Sequence, residues 1–203
     1  SRIDLLVDNS GFPPDSRLVL FEQDETNAFV NIANQLGIDV SNPTGTVILD
    51  VNKDGKVDIL TGQHNLRKAE MKNKIYLFEN NQKLIGHRSF KVTLYGKRSN
   101  KEALGAMVHI YLEKGREKII QRRWYEFSQG GLPSQHEKSL FVGVPPEMEL
   151  KGFKIRWPIR KKETYRGGVA LEKLYPVKDD KSVFFKEISL CETGEVIEGP
   201  FRC

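Results

Sequence analysis

The chain has 203 residues, of which 38% are hydrophobic and 29% charged. That is enough apolar material for one large or two small domains with real cores, and it excludes a disordered or collagen-like polymer. No run reaches the length of a membrane span. The net charge of +5 divides unevenly along the chain: residues 1–83 carry 9 Lys+Arg against 12 Asp+Glu, and residues 84–203 carry 23 against 15. An acidic half therefore precedes a basic one.

The N-terminal half repeats itself. Ile3–Val7 matches Val57–Thr61 at an offset of 54, and Arg17–Glu22 matches Lys74–Glu79 at an offset of 57. Both pairs are short, β-branched and apolar, so each unit reads as strand, polar connection, strand. Several short strands per 50 to 60 residues is the pattern of an array whose units cannot bury their faces alone. Between the units, Phe29, Ile32, Ala33 and Leu36 fall at helical spacing before Gly37, which predicts a single helical turn there.

Between the strands Thr46–Leu49 and Val57–Thr61 runs Asp50-Val-Asn52-Lys-Asp54-Gly55-Lys56-Val-Asp58. Oxygen-bearing side chains at positions 1, 3, 5 and 9, a glycine at 6 and an inward carbonyl at 7 are what one loop needs to wrap Ca2+. An EF-hand would place a bidentate Glu at position 12 on a helix; here position 12 is Thr61, inside a strand. The metal ligands expected are Asp50, Asn52, Asp54 and Asp58 through side chains and Lys56 through its carbonyl. In the repeat register Asp4 is the ninth position of an earlier loop, whose other ligands would lie before Ser1.

The loop within Leu49–Leu60, followed by Lys74–Asn81, resembles the FG-GAP or VCBS repeat, and this likeness covers about residues 1–82. It implies a β-propeller with structural calcium, of which the chain holds about one and a half blades, with further blades upstream of Ser1. Between residues 84 and 175, Phe90–Tyr95, Met107–Leu112, Lys118–Trp124 and Phe153–Trp157 alternate at the strand period, punctuated by Gly96, Gly105 and Gly115. Leu94–Asn100, Gly105–Val108, Ser134–Gln135, Leu140–Gly143 and Ile155–Pro158 fall in the order of the ASPIC/UnbV domain and resemble it. That domain often follows VCBS repeats. The expected fold class is all-β: a partial β-propeller (1–83), then a small antiparallel β-sandwich-like domain (84–176), then a tail (177–203).

Only Cys191 and Cys203 are present, too few for a zinc site. A disulfide closing the tail is expected, which goes with an oxidising compartment; a pair of free thiols is the alternative. Arg122, Arg123, Trp124, Arg156 and Arg160 interleave cations with aromatics and form a possible ligand surface. Solvated strand faces, an anionic carbohydrate and, less well, nucleic acid all suit that pattern. Ser99-Asn100 after Gly96, and Ser134-Gln135-His136 beside Gly130–Pro133, read as structured turns or as polar ligand loops. No histidine stands in a nucleophile–base motif. A hydrolase would need two carboxylates across a cleft, and Glu126 and Glu137 are the pair to inspect. The expectation is a secreted, periplasmic or cell-surface calcium-binding module that recognises a protein or carbohydrate without catalysing a reaction. The alternatives are part of a hydrolase acting on surface polysaccharide, or a spacer.

Overall fold

The computed structural model describes residues 4–9, 16–66, 68–83, 85–126, 134–158 and 172–200. Every regular element among them is a strand, fourteen in all. The chain divides into two units.

The first unit holds Ser1–Asn52, Val57–Asn81 and Ser128–Glu137. Strands β1 (Leu5–Asp8), β2 (Leu18–Gln23) and β3 (Phe29–Asn31) form one sheet, and β4 (Pro43–Leu49), β5 (Asp58–Gln63) and β6 (Lys74–Phe78) form another. No closed barrel or propeller is made by the described residues. The sequence repeat, however, is reproduced in register. Leu5 faces Phe21 across β1–β2 and Ile59 faces Phe78 across β5–β6, which are the offsets of 54 and 57 applied to one pair. One hydrogen bond repeats with them. Gln23 N–H donates to Asp4 Oδ1 at 3.2 Å, and Asn80 N–H donates to Asp58 Oδ1 at 2.8 Å. Each time the aspartate entering the first strand of a hairpin holds the backbone leaving the second.

The interior of this unit is small and polar. Leu18, Ala33, Ile38 and Val40 are buried, but so are Asn42, Thr46, Asp50, Asp58 and Thr61. Thr46 ties the two sheets together: its N–H (3.0 Å) and hydroxyl (2.8 Å) both meet Asp8 Oδ2, and its Oγ1 lies 2.7 Å from that of Thr61. Meanwhile Ile75 on β6 is 80% exposed and Leu77, on the same face, is 46% exposed. The turn expected before Gly37 exists, with Leu36 N–H on the Ile32 carbonyl at 3.1 Å and Gly37 at φ +71. Its apolar stripe does not. Phe29 lies on β3, and both Phe29 and Leu36 are more than half exposed, because one turn is too short to present a continuous face.

The second unit holds Lys53–Lys56, Gln82–Phe127 and Lys138–Cys203. One sheet has the order β10 (Leu140–Val144), β7 (Arg88–Tyr95), β13 (Phe185–Cys191), β14 (Val196–Glu198). The other runs β12 (Glu172–Pro176), β11 (Glu149–Arg156), β8 (Ala106–Lys114), β9 (Glu117–Tyr125). Strict alternation sends Phe90, Val92 and Leu94 of β7, Val108, Ile110 and Leu112 of β8, and Phe153 and Ile155 of β11 into one shared core. The two sheets thus make a sandwich. Of the expected tail over 177–203, the described residues 177–200 are no separate element. β13 pairs in parallel with β7 from Phe185–Ser89 to Cys191–Tyr95, and Ile188 and Leu190 are fully buried in the core. A parallel pair so distant in sequence has no hairpin turn to announce it.

Two buried polar devices close this unit. The Arg88 guanidinium binds Asp179 in a fork, Nε to Oδ1 at 2.8 Å and Nη2 to Oδ2 at 3.0 Å, with side-chain exposures of 3% and 0%. Leu150 N–H adds a third bond to Asp179 at 2.8 Å. Tyr175 accepts from Trp157 Nε1 at 3.1 Å and donates to the Cys191 carbonyl at 2.7 Å. Burial pushes its phenol up to about 12.

Candidate calcium loop and ligand face

The nine-residue loop emerges from β4 and returns into β5. Asp50 and Asp58, its first and ninth positions, belong to the first unit and are 6% and 1% exposed. Asp58 accepts Val51 N–H on Oδ2 and Asn80 N–H on Oδ1, both at 2.8 Å, so it clamps the loop base and the end of β6 together. Asp50 N–H donates to Glu137 Oε2 at 3.0 Å. The tip, Lys53–Lys56, belongs to the second unit. There Asp54 Oδ1 receives Lys56 N–H at 2.9 Å, an Asx turn, while Lys56 Nζ lies 2.8 Å from Asp54 Oδ2. Lys53 at φ +60 and Gly55 at φ +81 give the chain its left-handed coil. A Cβ on Gly55 would stand 2.3 Å from Phe185 Cδ2, so position 6 has no room for a side chain.

The donor set is oxygen only, which suits a hard cation. Among the described residues no group of three or more His, Cys, Asp or Glu side chains is gathered to hold a metal ion. The amide of Asn52 and the carbonyl of Lys56 would have to complete any set made here. Asp4 is exposed and holds Gln23 N–H, as its place in the repeat requires.

The other polar loops resolve into structural roles. The backbone N–H groups of Lys97, Arg98 and Ser99 point at one carboxylate oxygen of Glu192, at 2.5, 2.6 and 3.0 Å, and the Ser99 hydroxyl joins them at 3.1 Å. Gly96 makes this possible, since a Cβ there would meet the Asn100 carbonyl at 2.1 Å. Burial raises the Glu192 carboxyl, but these donors outweigh it and hold the group below its usual value. Asn100 caps its own loop through Leu104, donating to its carbonyl (2.9 Å) and accepting its N–H (2.7 Å). His136 Nδ1 accepts Ile48 N–H at 3.1 Å and Glu137 N–H reaches the Ile48 carbonyl at 3.3 Å, so this segment lines the edge of β4. His136 is lowered by burial. With Glu137 serving the loop backbone, nothing favours it as half of a catalytic pair with Glu126.

The surface residues separate by strand parity. Trp124 faces Met107, which faces Arg156, which faces Glu172, in one row across β9, β8, β11 and β12. The next row is Arg122, His109, Lys154, Leu174. These stand on the sheet's outer face, where Trp124 is 59% and Leu174 64% exposed. Arg123 is not among them: it pairs with Val108 on the opposite face, its Nε buried without a hydrogen-bond partner and its guanidinium lowered by desolvation. Arg160 and Cys203 lie outside the described residues. His109 reports on its surroundings, being lowered by burial first, then by Arg122, Lys154 and Arg156, against Glu172.

This face and the Lys97–Ser99 side of the Glu192 cradle fall in a segment that matches a protein family. Residues 96–183 match the model of the ASPIC and UnbV family. Among curated proteins nothing matches the chain. A solved structure of pneumolysin at 1.98 Å resolution is similar at 13% identity, over 90% of this chain and 38% of that one, with a TM-score of 0.25. This chain therefore spans well under half of that protein. The ASPIC/UnbV segment takes in β8 to β12 but neither β7 nor β13. His109 and Lys154 escaped sequence reasoning because each is an ordinary polar position in an alternating strand; the register alone brings them beside Arg122 and Arg156. Glu192 and Asp179 carried only a weak signal, acidic residues in a basic half.

Proposed function

We propose that the chain is a segment of an extracellular or cell-surface recognition protein, with the end of an FG-GAP/VCBS propeller as its first unit and a ligand-presenting ASPIC/UnbV-type sandwich as its second. The observation that carries this reading is the loop itself: a left-handed coil between two strands with oxygen donors at 1, 3, 5, 7 and 9, inside a repeat whose register and Asp–backbone bond recur. The exposed Ile75 and Leu77 support further blades, because a propeller blade without the neighbouring blade that packs on it shows such a face.

Asp50, Asn52, Asp54 and Asp58 would hold Ca2+ through their side chains and Lys56 through its carbonyl. The ion, when bound, would supply the positive charge that offsets the repulsion of drawing Asp50, Asp54 and Asp58 together. The protein's own part is to hold Asp58 by Val51 and Asn80 and to bend the tip at Lys53 and Gly55. Asp54 Oδ2, which now meets Lys56 Nζ at 2.8 Å, would have to leave it to join the set. Calcium here is structural, in keeping with a secreted, periplasmic or surface location, where a Cys191–Cys203 disulfide is also stable. Isothermal titration with Ca2+, joined to thermal unfolding, tests this. Saturable binding with a rise in Tm, both absent in Asp54→Ala, is the expected result. No binding, with wild-type stability in Asp54→Ala, overturns it.

A further inference from the structure

The outer face of the β12-β11-β8-β9 sheet combines two things a sheet facing only water does not need. Trp124 lies more than half exposed, with Ile120 (51%) four residues before it on the same face of β9 and Leu174 (64%) across the sheet. Between them lie three cations: Arg122 and Lys154 in one row, on either side of His109, and Arg156 beside Lys154 on β11. The only acidic side chain within these two rows is Glu172, which is ion-paired with Lys154. Arg122 and Arg156 have no ion pair among the described residues. From the strand spacing, Trp124 and Arg156 stand about 10 Å apart across two strands, and Arg122 about 7 Å from Trp124 along β9.

We propose that this face binds an acidic polysaccharide, a sugar ring lying on Trp124 and its carboxylate or sulfate groups meeting Arg122 and Arg156. The proposal deepens the recognition reading given above by naming the ligand class, and it does not depend on calcium. Charge complementarity selects a polyanion, and guanidinium forks suit carboxylate and sulfate oxygens. Sequence-tolerant nucleic-acid binding uses a charged groove with several stacking platforms, whereas among the described residues this face offers one exposed aromatic ring, Trp124, with Tyr111 half-buried on the same face and the arginines set apart from the indole. A flat aromatic ring with spaced cations fits a chain of rings bearing charges at intervals.

The experiment uses the full 203-residue chain on immobilised heparin and alginate, with dextran as neutral polymer and oligo(dT) as nucleic acid, at low and at physiological salt. Trp124→Ala and the double variant Arg122→Ala/Arg156→Ala should each weaken binding to the acidic polysaccharides roughly tenfold or more. Arg116→Ala, an exposed cation at the β8–β9 turn away from the face, should leave it within about twofold. Far-UV circular dichroism shows that each variant keeps its strands, which surface positions permit. Binding to acidic polysaccharide that depends on Trp124 and exceeds binding to oligo(dT) supports the proposal. Equal binding to every polyanion with no effect of Trp124→Ala, preference for oligo(dT), or no binding at all each overturns it. Calcium binding to Asp50–Asp58, read separately by titration, succeeds or fails independently of these results.

Discussion

Replacing Asp58 by alanine tests the mechanical logic of the loop. The carboxylate is 1% exposed and takes one backbone N–H on each oxygen, from Val51 and from Asn80, both at 2.8 Å. A hydrogen bond to a charged group contributes about 1.5–3 kcal/mol. The two donors are only partly buried and water replaces some of the loss, so the low end applies and Asp58→Ala should cost about 3 kcal/mol. Asp58→Asn retains one acceptor oxygen and should lose about half as much. If the loop also holds Ca2+, wild type gains about a further 2.7 kcal/mol at a hundredfold excess over Kd, and Asp58→Ala forfeits this, so its deficit widens on adding the metal. Urea unfolding of both variants, with and without Ca2+, measures all four differences, read as midpoint shifts at constant slope. A cost below about 1 kcal/mol for Asp58→Ala without metal would refute the clamp.

Asp179→Ala strands the buried Arg88 guanidinium and should destabilise the sandwich by about 3–5 kcal/mol, while Arg88→Met with Asp179→Leu should recover most of that; denaturant midpoints give both. Glu192 has a depressed folded pKa, so its contribution is complete above the ordinary value of 4.5 and is lost as pH falls through the folded value. The stability gap between wild type and Glu192→Gln should therefore narrow between about pH 6 and pH 3; a gap that stays constant contradicts the cradle. Gly152, at φ +148 in the β11 bulge, has the Tyr175 carbonyl oxygen 2.3 Å from where a Cβ would go. Gly152→Ala should cost at least about 2 kcal/mol in thermal unfolding, and a neutral result would mean that the bulge relaxes.

Local patterning decided much of this molecule. The strands over Phe90–Tyr95, Met107–Leu112 and Lys118–Trp124 were legible because a face buried on one side alternates with period two, and each is found within β7, β8 and β9. The repeat was legible because both hairpins face the same packing problem and solve it in the same register. By contrast β12, β13 and β14 left little trace. Glu172–Pro176 is a five-residue edge strand, and Phe185–Cys191 is held by a parallel partner 96 residues away, Phe185 on Ser89 and Cys191 on Tyr95. Arg123 and Arg122 are adjacent in the basic stretch, but neighbours on a strand point to opposite faces.

What the sequence determined by itself is what depends on near neighbours: the all-β class, the oxygen spacing and left-handed bend of Asp50–Asp58, and the order of an ASPIC/UnbV-like segment. Tertiary structure alone decided what depends on register and long-range closure. It set Glu192 into the Lys97–Ser99 cradle and Asp179 under Arg88, and it placed Arg123 off the outer face of the β12-β11-β8-β9 sheet while bringing His109 and Lys154 onto it. The reason is physical. A side chain's strand period is written in its own segment, but its partner is chosen by pairing between segments, where a shift of one residue turns every side chain to the other face.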